Sequence, residues 1–367
     1  MRKVPFVNLA KQYEGMKEEI DQAISRVLQS GHFILGEEVL RFEEELAQST
    51  GVKHVIGVSN GTDALVLAFK ALGVGSGDEV ITPAFSFFAS AEAVASLGGK
   101  PVFVDIDPED FNIKVDRIEG KITEKTKAIL PVHLYGNPAD MESLMNVAQK
   151  HNLKVIEDTA QALGAKVGGR KVGTIGDVGT ISFFPTKNLG GFGDGGAILT
   201  NDSRIAEEVR LLRVHGAKKK YFHEKVGFNH RLDALQAAIL RAKLPYLDGW
   251  NEKRREIAEK YSERLKGTVT IPSIQKGKLH IFHQYTIRTP RRNDLKEFLE
   301  ERGIGAIVNY PLPIHLQPAF SHLGHQEGDF PESEKASQEV LSLPIYPEMT
   351  EEEVDYVSKS VQEFFQD

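Results

Sequence analysis

Lys187 stands in Ser182-Phe183-Phe184-Pro185-Thr186-Lys187-Asn188, just beyond an apolar run, hemmed by aromatic residues and followed by a glycine-rich stretch from Gly190 to Gly196. Desolvation lowers a lysine's pKa and frees the neutral amine, the form that condenses with a carbonyl. Upstream, Val155-Ile156-Glu157-Asp158-Thr159-Ala160-Gln161 puts Asp158 at the carboxyl end of another apolar run. Ligand sites of open α/β sheets lie at that end. A carboxylate there can hold a cation such as a protonated heteroaromatic nitrogen. Further upstream, Ser59-Asn60-Gly61-Thr62-Asp63-Ala64 leaves a strand and opens a helix. Backbone N–H groups and a hydroxyl at such a helix start can seat a phosphate, and Gly61 admits a close backbone approach. Finally, Arg213, Lys218, Lys219, Lys220, Lys225 and Arg231 crowd one stretch opposed only by Glu224, a cationic patch that suits a diphosphate.

Each segment alone has a plainer reading. Thr62 or Ser59 can be a helix N-cap, and so can Asp158. Lys187 can be a solvated loop lysine, and the basic stretch a charged loop. Taken in order, however, a phosphate seat, a strand-end aspartate and a desolvated lysine are the groups that hold pyridoxal phosphate.

The elements that must position these groups follow from hydrophobic patterning. Short apolar runs at 54–58, 79–82, 101–105, 128–133, 154–157, 179–184 and 196–200 read as strands. Amphipathic stretches at 62–72, 86–97 and 139–150 read as helices between them. Strands alternating with helices imply a mostly parallel sheet covered on both faces. Helices follow at 204–214, 231–243 and 250–265, then strands at 268–271 and 283–288 and helices at 294–301 and 351–364. We expect a large domain over 1–245, N-terminal segment included, and a small α+β domain over 246–367. The glycines of Gly191-Phe192-Gly193-Asp194-Gly195-Gly196 match G-x-G-x-x-G but lead into a strand, which is the wrong context for a dinucleotide fingerprint.

Composition narrows the function classes. The 367 residues carry 45 Lys+Arg against 52 Asp+Glu, a net charge of −7, which disfavours general nucleic-acid binding. Cysteine is absent, so there is no disulfide scaffold, cysteine nucleophile or thiolate metal site. No metal is expected. No apolar run is long enough to span a membrane and the N-terminus has no secretory signal pattern, so a cytoplasmic protein is expected.

At these residues the chain strongly resembles the DegT/DnrJ/StrS family of sugar aminotransferases. The likeness runs from Gly31-His32-Phe33-Ile34-Leu35-Gly36 through Asn60–Ala64, Gly77–Pro83, Val104–Asp107, Glu157–Gln161, Ser182–Leu189 and Gly193–Gly196. It continues through Gly227–Ala238 to Asn309–His315. The resemblance implies an α/β, fold-type-I pyridoxal-phosphate enzyme with a mostly parallel central sheet sandwiched by helices. It implies that Lys187 carries the cofactor aldehyde and shuttles the proton, and that Asp158 keeps the pyridine nitrogen protonated. Gln161 would contact the ring hydroxyl and Phe87 would stack on the ring. Gly61, Thr62 and Ser182 would hold the phosphate. Asn229 would reach it from the second subunit of a homodimer. Arg231, Asn309, Tyr310 and His315 would face the sugar nucleotide.

The implied reaction moves an amino group from L-glutamate to a keto sugar nucleotide. The run Gly190–Gly196 resembles that of relatives acting at carbon 3, so a 3-oxo UDP- or dTDP-hexose is expected. A 4-oxo sugar, a cyclitol and a regulatory protein without turnover are the alternatives. Asn137, Thr159 and Asn309 depart from the family's usual residues, the first and last bearing on substrate choice.

Overall fold

The computed structural model describes residues 3–366. Seven strands form the central sheet: β1 (His54–Val58), β2 (Glu79–Pro83), β3 (Lys100–Val104), β4 (Thr126–Ile129), β5 (Lys154–Asp158), β6 (Val178–Ser182) and β7 (Gly196–Thr200). Their order is β1-β7-β6-β5-β4-β2-β3. β7 runs antiparallel to both its neighbours, and every other pair is parallel. β2 and β7 are buried along their whole length, which is why they read as continuous apolar runs rather than as alternating ones.

The helix Gly61–Ala71 buries six consecutive residues, Ala64 to Phe69, against this sheet. Its N-cap is Asn60, whose Oδ1 accepts from the Asp63 N–H at 2.8 Å, so capping falls to neither Ser59 nor Thr62. Two strands end early and one expected strand does not form. β4 stops before Pro131, which has no N–H for a ladder. β6 stops at Ser182, where the chain turns towards Lys187. The expected strand at 268–271 is reduced to isolated bridges, such as Thr270 with Arg288. The glycine run after Lys187 leads directly into β7, the context expected from the sequence.

After the helix Ala234–Lys243, a long helix spans Leu247–Leu265. Leu247 packs with Phe42, Phe183 and Leu240. Farther along the same helix, Ile257, Ala258, Tyr261 and Leu265 pack with Tyr285, Leu295, Val357 and Val361 in a separate cluster that also takes in Val4. Tyr285–Arg288 pairs antiparallel with Val340–Leu343 beneath it. No helix among the described residues is long and apolar enough to cross a membrane.

Arg213 does not belong to a cationic patch. Its guanidinium is buried and donates to Glu43 Oε1 at 2.6 Å and to the Gly57 carbonyl at 2.7 Å, while Glu43 also accepts from the Gly57 N–H at 2.8 Å. The pair ties the helix Glu37–Thr50 to edge strand β1. Removing one partner of a buried pair strands the other charge, at about 3–5 kcal/mol. Glu43→Ala should therefore lower the unfolding free energy by about 3–5 kcal/mol in urea denaturation. A loss of under about 1 kcal/mol, typical of an exposed pair, would show that the pair does not anchor β1.

Candidate active site

The carboxyl ends of β5 and β6 and the start of the helix Gly61–Ala71 open onto one cavity of about 630 Å³. Asp158 ends β5 and is 7% exposed. One of its carboxylate oxygens accepts from the Ala160 N–H at 3.0 Å. Burial raises its pKa, while the Ala160 N–H and the nearby Lys187 and His133 act against that rise. Lys187 follows β6 in a tight turn, its N–H bonded to the Phe184 carbonyl at 2.8 Å. The enclosing protein desolvates its amine and brings the pKa down to about 8, with the Asp158 charge opposing the shift.

The glycines beside Lys187 answer to space. A Cβ on Gly190 would fall 2.3 Å from the Pro185 carbonyl oxygen. At the helix start a Cβ on Gly61 would fall 2.7 Å from Ser182 Cβ, so the helix N-terminus and Ser182 meet only because residue 61 is glycine. With Asn60 holding the Asp63 N–H, the N–H groups of Gly61 and Thr62 have no partner among the described residues. Orphan donors at a helix N-terminus suit an anion.

The cavity gathers nine of the twelve residues singled out from the sequence: Gly61, Thr62, Phe87, Asp158, Gln161, Ser182, Lys187, Asn309 and Tyr310. Gln161 is held at both ends, accepting from the Tyr135 N–H at 2.6 Å and donating to the Tyr310 hydroxyl at 3.0 Å. The Phe87 and Tyr310 rings lie 5.9 Å apart, and burial pushes the Tyr310 phenol up. The Tyr135 hydroxyl donates to the Asn309 carbonyl, and Asn309 Nδ2 donates to Gln284 at 2.9 Å.

Three residues lie outside this lining. Asn229 is exposed, bridging to Val214, and Arg231 is half-buried. His315 is buried against Phe330, its Nε2 3.0 Å from Glu334. Its ring thus engages Glu334 rather than the cavity.

Sequence reasoning missed Ser86, Glu92, Thr186, Asp194, His283 and Gln284 on the cavity wall. His283 and Gln284 were legible only as the start of a strand. They come from the far side of the chain, 95 residues beyond Asn188 in the case of His283.

An anion seat, a buried carboxylate and a lysine amine near neutrality, around a cavity rimmed by Phe87, match the phosphate, ring nitrogen, aldehyde and flat ring of pyridoxal phosphate. The fold and site are those of a pyridoxal-phosphate enzyme. The sequence profile of the DegT/DnrJ/EryC1/StrS aminotransferase family matches residues 14–362, and the chain belongs to that family.

Two similar proteins are named for transfer of an amino group. An Acidithiobacillus ferrooxidans protein named UDP-N-acetyl-3-dehydro-alpha-D-glucosamine 3-aminotransferase is 46% identical, covering 96% of this chain and 95% of its own. A Streptomyces venezuelae protein named dTDP-3-amino-3,4,6-trideoxy-alpha-D-glucose transaminase is 43% identical, covering 99% and 96%. A Geobacillus stearothermophilus protein named pleiotropic regulatory protein is 53% identical, covering 99% and 98%. Among solved structures, S. venezuelae DesV in complex with a ketimine intermediate superposes with a TM-score of 0.98 at 43% identity over 100% of both chains. NtdA from Bacillus subtilis with bound cofactor PMP gives 0.93 at 36% identity, covering 100% of this chain and 86% of its own. The protein is a pyridoxal-phosphate-dependent sugar aminotransferase.

The lowered pKa of Lys187 has a direct readout. The amine is mostly neutral, hence nucleophilic, above about 8 rather than above the ordinary 10.5. Competitive acetylation of the cofactor-free protein, followed by peptide mass spectrometry, should find Lys187 half-reactive near about 8. An inflection at a lysine's ordinary value would show that the amine is not desolvated.

Proposed function

We propose that this enzyme takes the amino group of L-glutamate and delivers it to a 3-oxo UDP- or dTDP-hexose, in amino-sugar or surface-polysaccharide biosynthesis in the cytoplasm. The observation that carries the reading is the shared carbon number. Two relatives that match along nearly their whole length are named for amination at carbon 3 of a UDP or dTDP sugar. The Gly190–Gly196 run, which resembles that of carbon-3 relatives, supports it.

Pyridoxal phosphate supplies an electron-accepting ring and a carrier for the amino group. The chain's own groups divide the remaining work. Lys187 Nζ would be the point of attachment for the cofactor aldehyde, and as a free amine it would move the proton at the substrate carbon. Asp158 would hold the ring nitrogen's proton, and a cation there would offset the burial of its carboxylate. The N–H groups of Gly61 and Thr62 and the Ser182 hydroxyl would hold the phosphate. Phe87 would cover the ring, and Gln161, which donates to the Tyr310 hydroxyl, would meet the ring hydroxyl. Asn309 and Tyr310 would meet the sugar nucleotide, with Arg231 contributing from outside the one-chain cavity.

The working unit is a homodimer in this reading. One chain leaves Ile34, Phe184, Phe192, Tyr221, Phe222 and Val226 exposed, an apolar surface that suits association. Asn229, exposed just beyond Val226, would complete the partner's phosphate seat. We also place the boundary between the two domains at 245/246.

Two assays test the chemistry. Glutamate should shift the visible band of the cofactor-loaded protein, and the product should carry its new amino group on carbon 3. Amination of a 4-oxo sugar or a cyclitol alone would overturn the carbon-3 assignment. A spectral change without released product would favour a regulatory role, the reading suggested by the name of the Geobacillus relative. Lys187→Ala should cut turnover at least about a thousandfold while the protein still binds cofactor.

Mixing inactive Lys187→Ala with an impaired Asn229→Ala tests the shared site. Hybrids should recover activity that neither variant has, because one of their two sites is intact. Activity that never exceeds the sum of the two would place Asn229 in its own chain's site or in none.

A further inference from the structure

Beside Lys187, the buried ring of His283 lines the cavity, and three amide groups determine which of its nitrogens carries the proton. The relay begins at the Leu163 carbonyl, which can only accept. Asn251 Nδ2 donates to it at 3.1 Å, so Asn251 Oδ1 faces the other way and accepts from Asn188 Nδ2 at 2.6 Å. Asn188 Nδ2 also faces the Ile281 carbonyl at 3.5 Å, a second acceptor that agrees with this orientation. Asn188 Oδ1 is therefore the atom 3.1 Å from His283 Nδ1, and Nδ1–H must donate to it. In the neutral ring Nε2 then bears a lone pair. It has no partner among the described residues and is not among the buried unpartnered atoms, so it remains accessible.

The surroundings keep the ring neutral. Burial disfavours the cation, and the charges of Lys187, Arg254 and His280 act in the same direction. The result is an uncharged hydrogen-bond acceptor of fixed orientation on the wall of the site.

We propose that His283 Nε2 is a substrate-recognition group that accepts a hydrogen bond from a hydroxyl of the bound hexose. The assignment rests on the reading above that this cavity receives both glutamate and a sugar nucleotide, and it discriminates between them. A hexose presents several hydroxyl donors. Glutamate presents two carboxylates, which a lone pair repels, and an ammonium that is occupied at the reacting centre. A neutral acceptor therefore serves the sugar half of the reaction and not the glutamate half.

The test uses the cofactor-loaded enzyme and whichever keto sugar nucleotide it aminates. His283→Phe should raise the sugar KM about tenfold, the worth of one lost hydrogen bond, and change the glutamate half-reaction by less than about twofold. His283→Gln, whose carbonyl oxygen can accept, should recover most of the loss. Nitrogen NMR of protein labelled in histidine should show His283 protonated at Nδ1 and bare at Nε2 from about pH 6 to 9.

A proton on Nε2 would overturn the proposal. So would an unchanged sugar KM in His283→Phe, or equal slowing of both half-reactions, which would mark a packing role. Amination of a 4-oxo sugar alone would remove the carbon-3 assignment but leave this test intact, because the hydroxyl donors remain.

Discussion

Glu157 is sealed from solvent beside Asp158, and its carboxylate accepts from the N–H groups of Gly173 at 2.8 Å and of Ile175 and Gly176 at 2.7 Å, and meets His133 Nε2 at 3.1 Å. The Ala139 N–H lies 3.0 Å from His133 Nδ1, so that nitrogen accepts and Nε2 carries the proton given to Glu157. Burial alone would favour the protonated acid, yet His133 and the glycine amides hold the group below the ordinary carboxylate range. Side chains alternate along a strand, so Glu157 and Asp158 point to opposite faces. Locking Glu157 on one face steadies the strand end that presents Asp158 on the other. The loop at 173–176 is tied down by the same carboxylate, and a Cβ on Gly176 would fall 2.8 Å from the Val155 carbonyl oxygen.

On the ligand side, burial has the opposite use. It moves Lys187 and Asp158 each towards its neutral form, while their mutual attraction resists both shifts. The balance leaves an amine that is half neutral at about pH 8 and a carboxylate able to gain from a cation. Precision comes from the backbone around them. Helix Ala234–Lys243 holds the glycine-rich loop from below: Lys243 donates to the Gly190 carbonyl at 2.5 Å, and Gln236 accepts from the Phe192 N–H at 2.7 Å. Lys243 is itself buried between the rings of Phe192 and Trp250.

Patterning made much of this legible. Each of the seven sheet strands overlaps an expected apolar run, with β4 displaced and β6 shortened, and the helix Glu351–Phe364 stands where periodicity put it, because strands buried on both faces and a helix with one apolar stripe leave plain signatures. The helix start at Gly61, Asp158 and Lys187 were legible as cavity residues because each sits at a strand end beside glycine or a helix start, a local context. Arg213 misled because a charged residue in a basic stretch looks solvated, and only folding brings Glu43 to it from 170 positions away. The missing strand at 268–271 shows the same limit. Its residues have strand-like character, but a ladder needs a partner edge, and here Arg288 offers a single bridge.

Residue types and their order alone determined the sheet's make-up, the candidate lysine and aspartate at its strand ends, and the family resemblance, because those depend on local patterning and short motifs. Tertiary structure alone decided which distant groups share the cavity. His283 becomes a site residue only when its segment packs against Asn188, and its tautomer exists only through the relay from Leu163 and Asn251. His315 leaves the site for the same kind of reason, since packing against Phe330 turns its ring to Glu334. Hydrogen bonds between residues far apart in sequence have no local signature, so they appear only once the chain has folded.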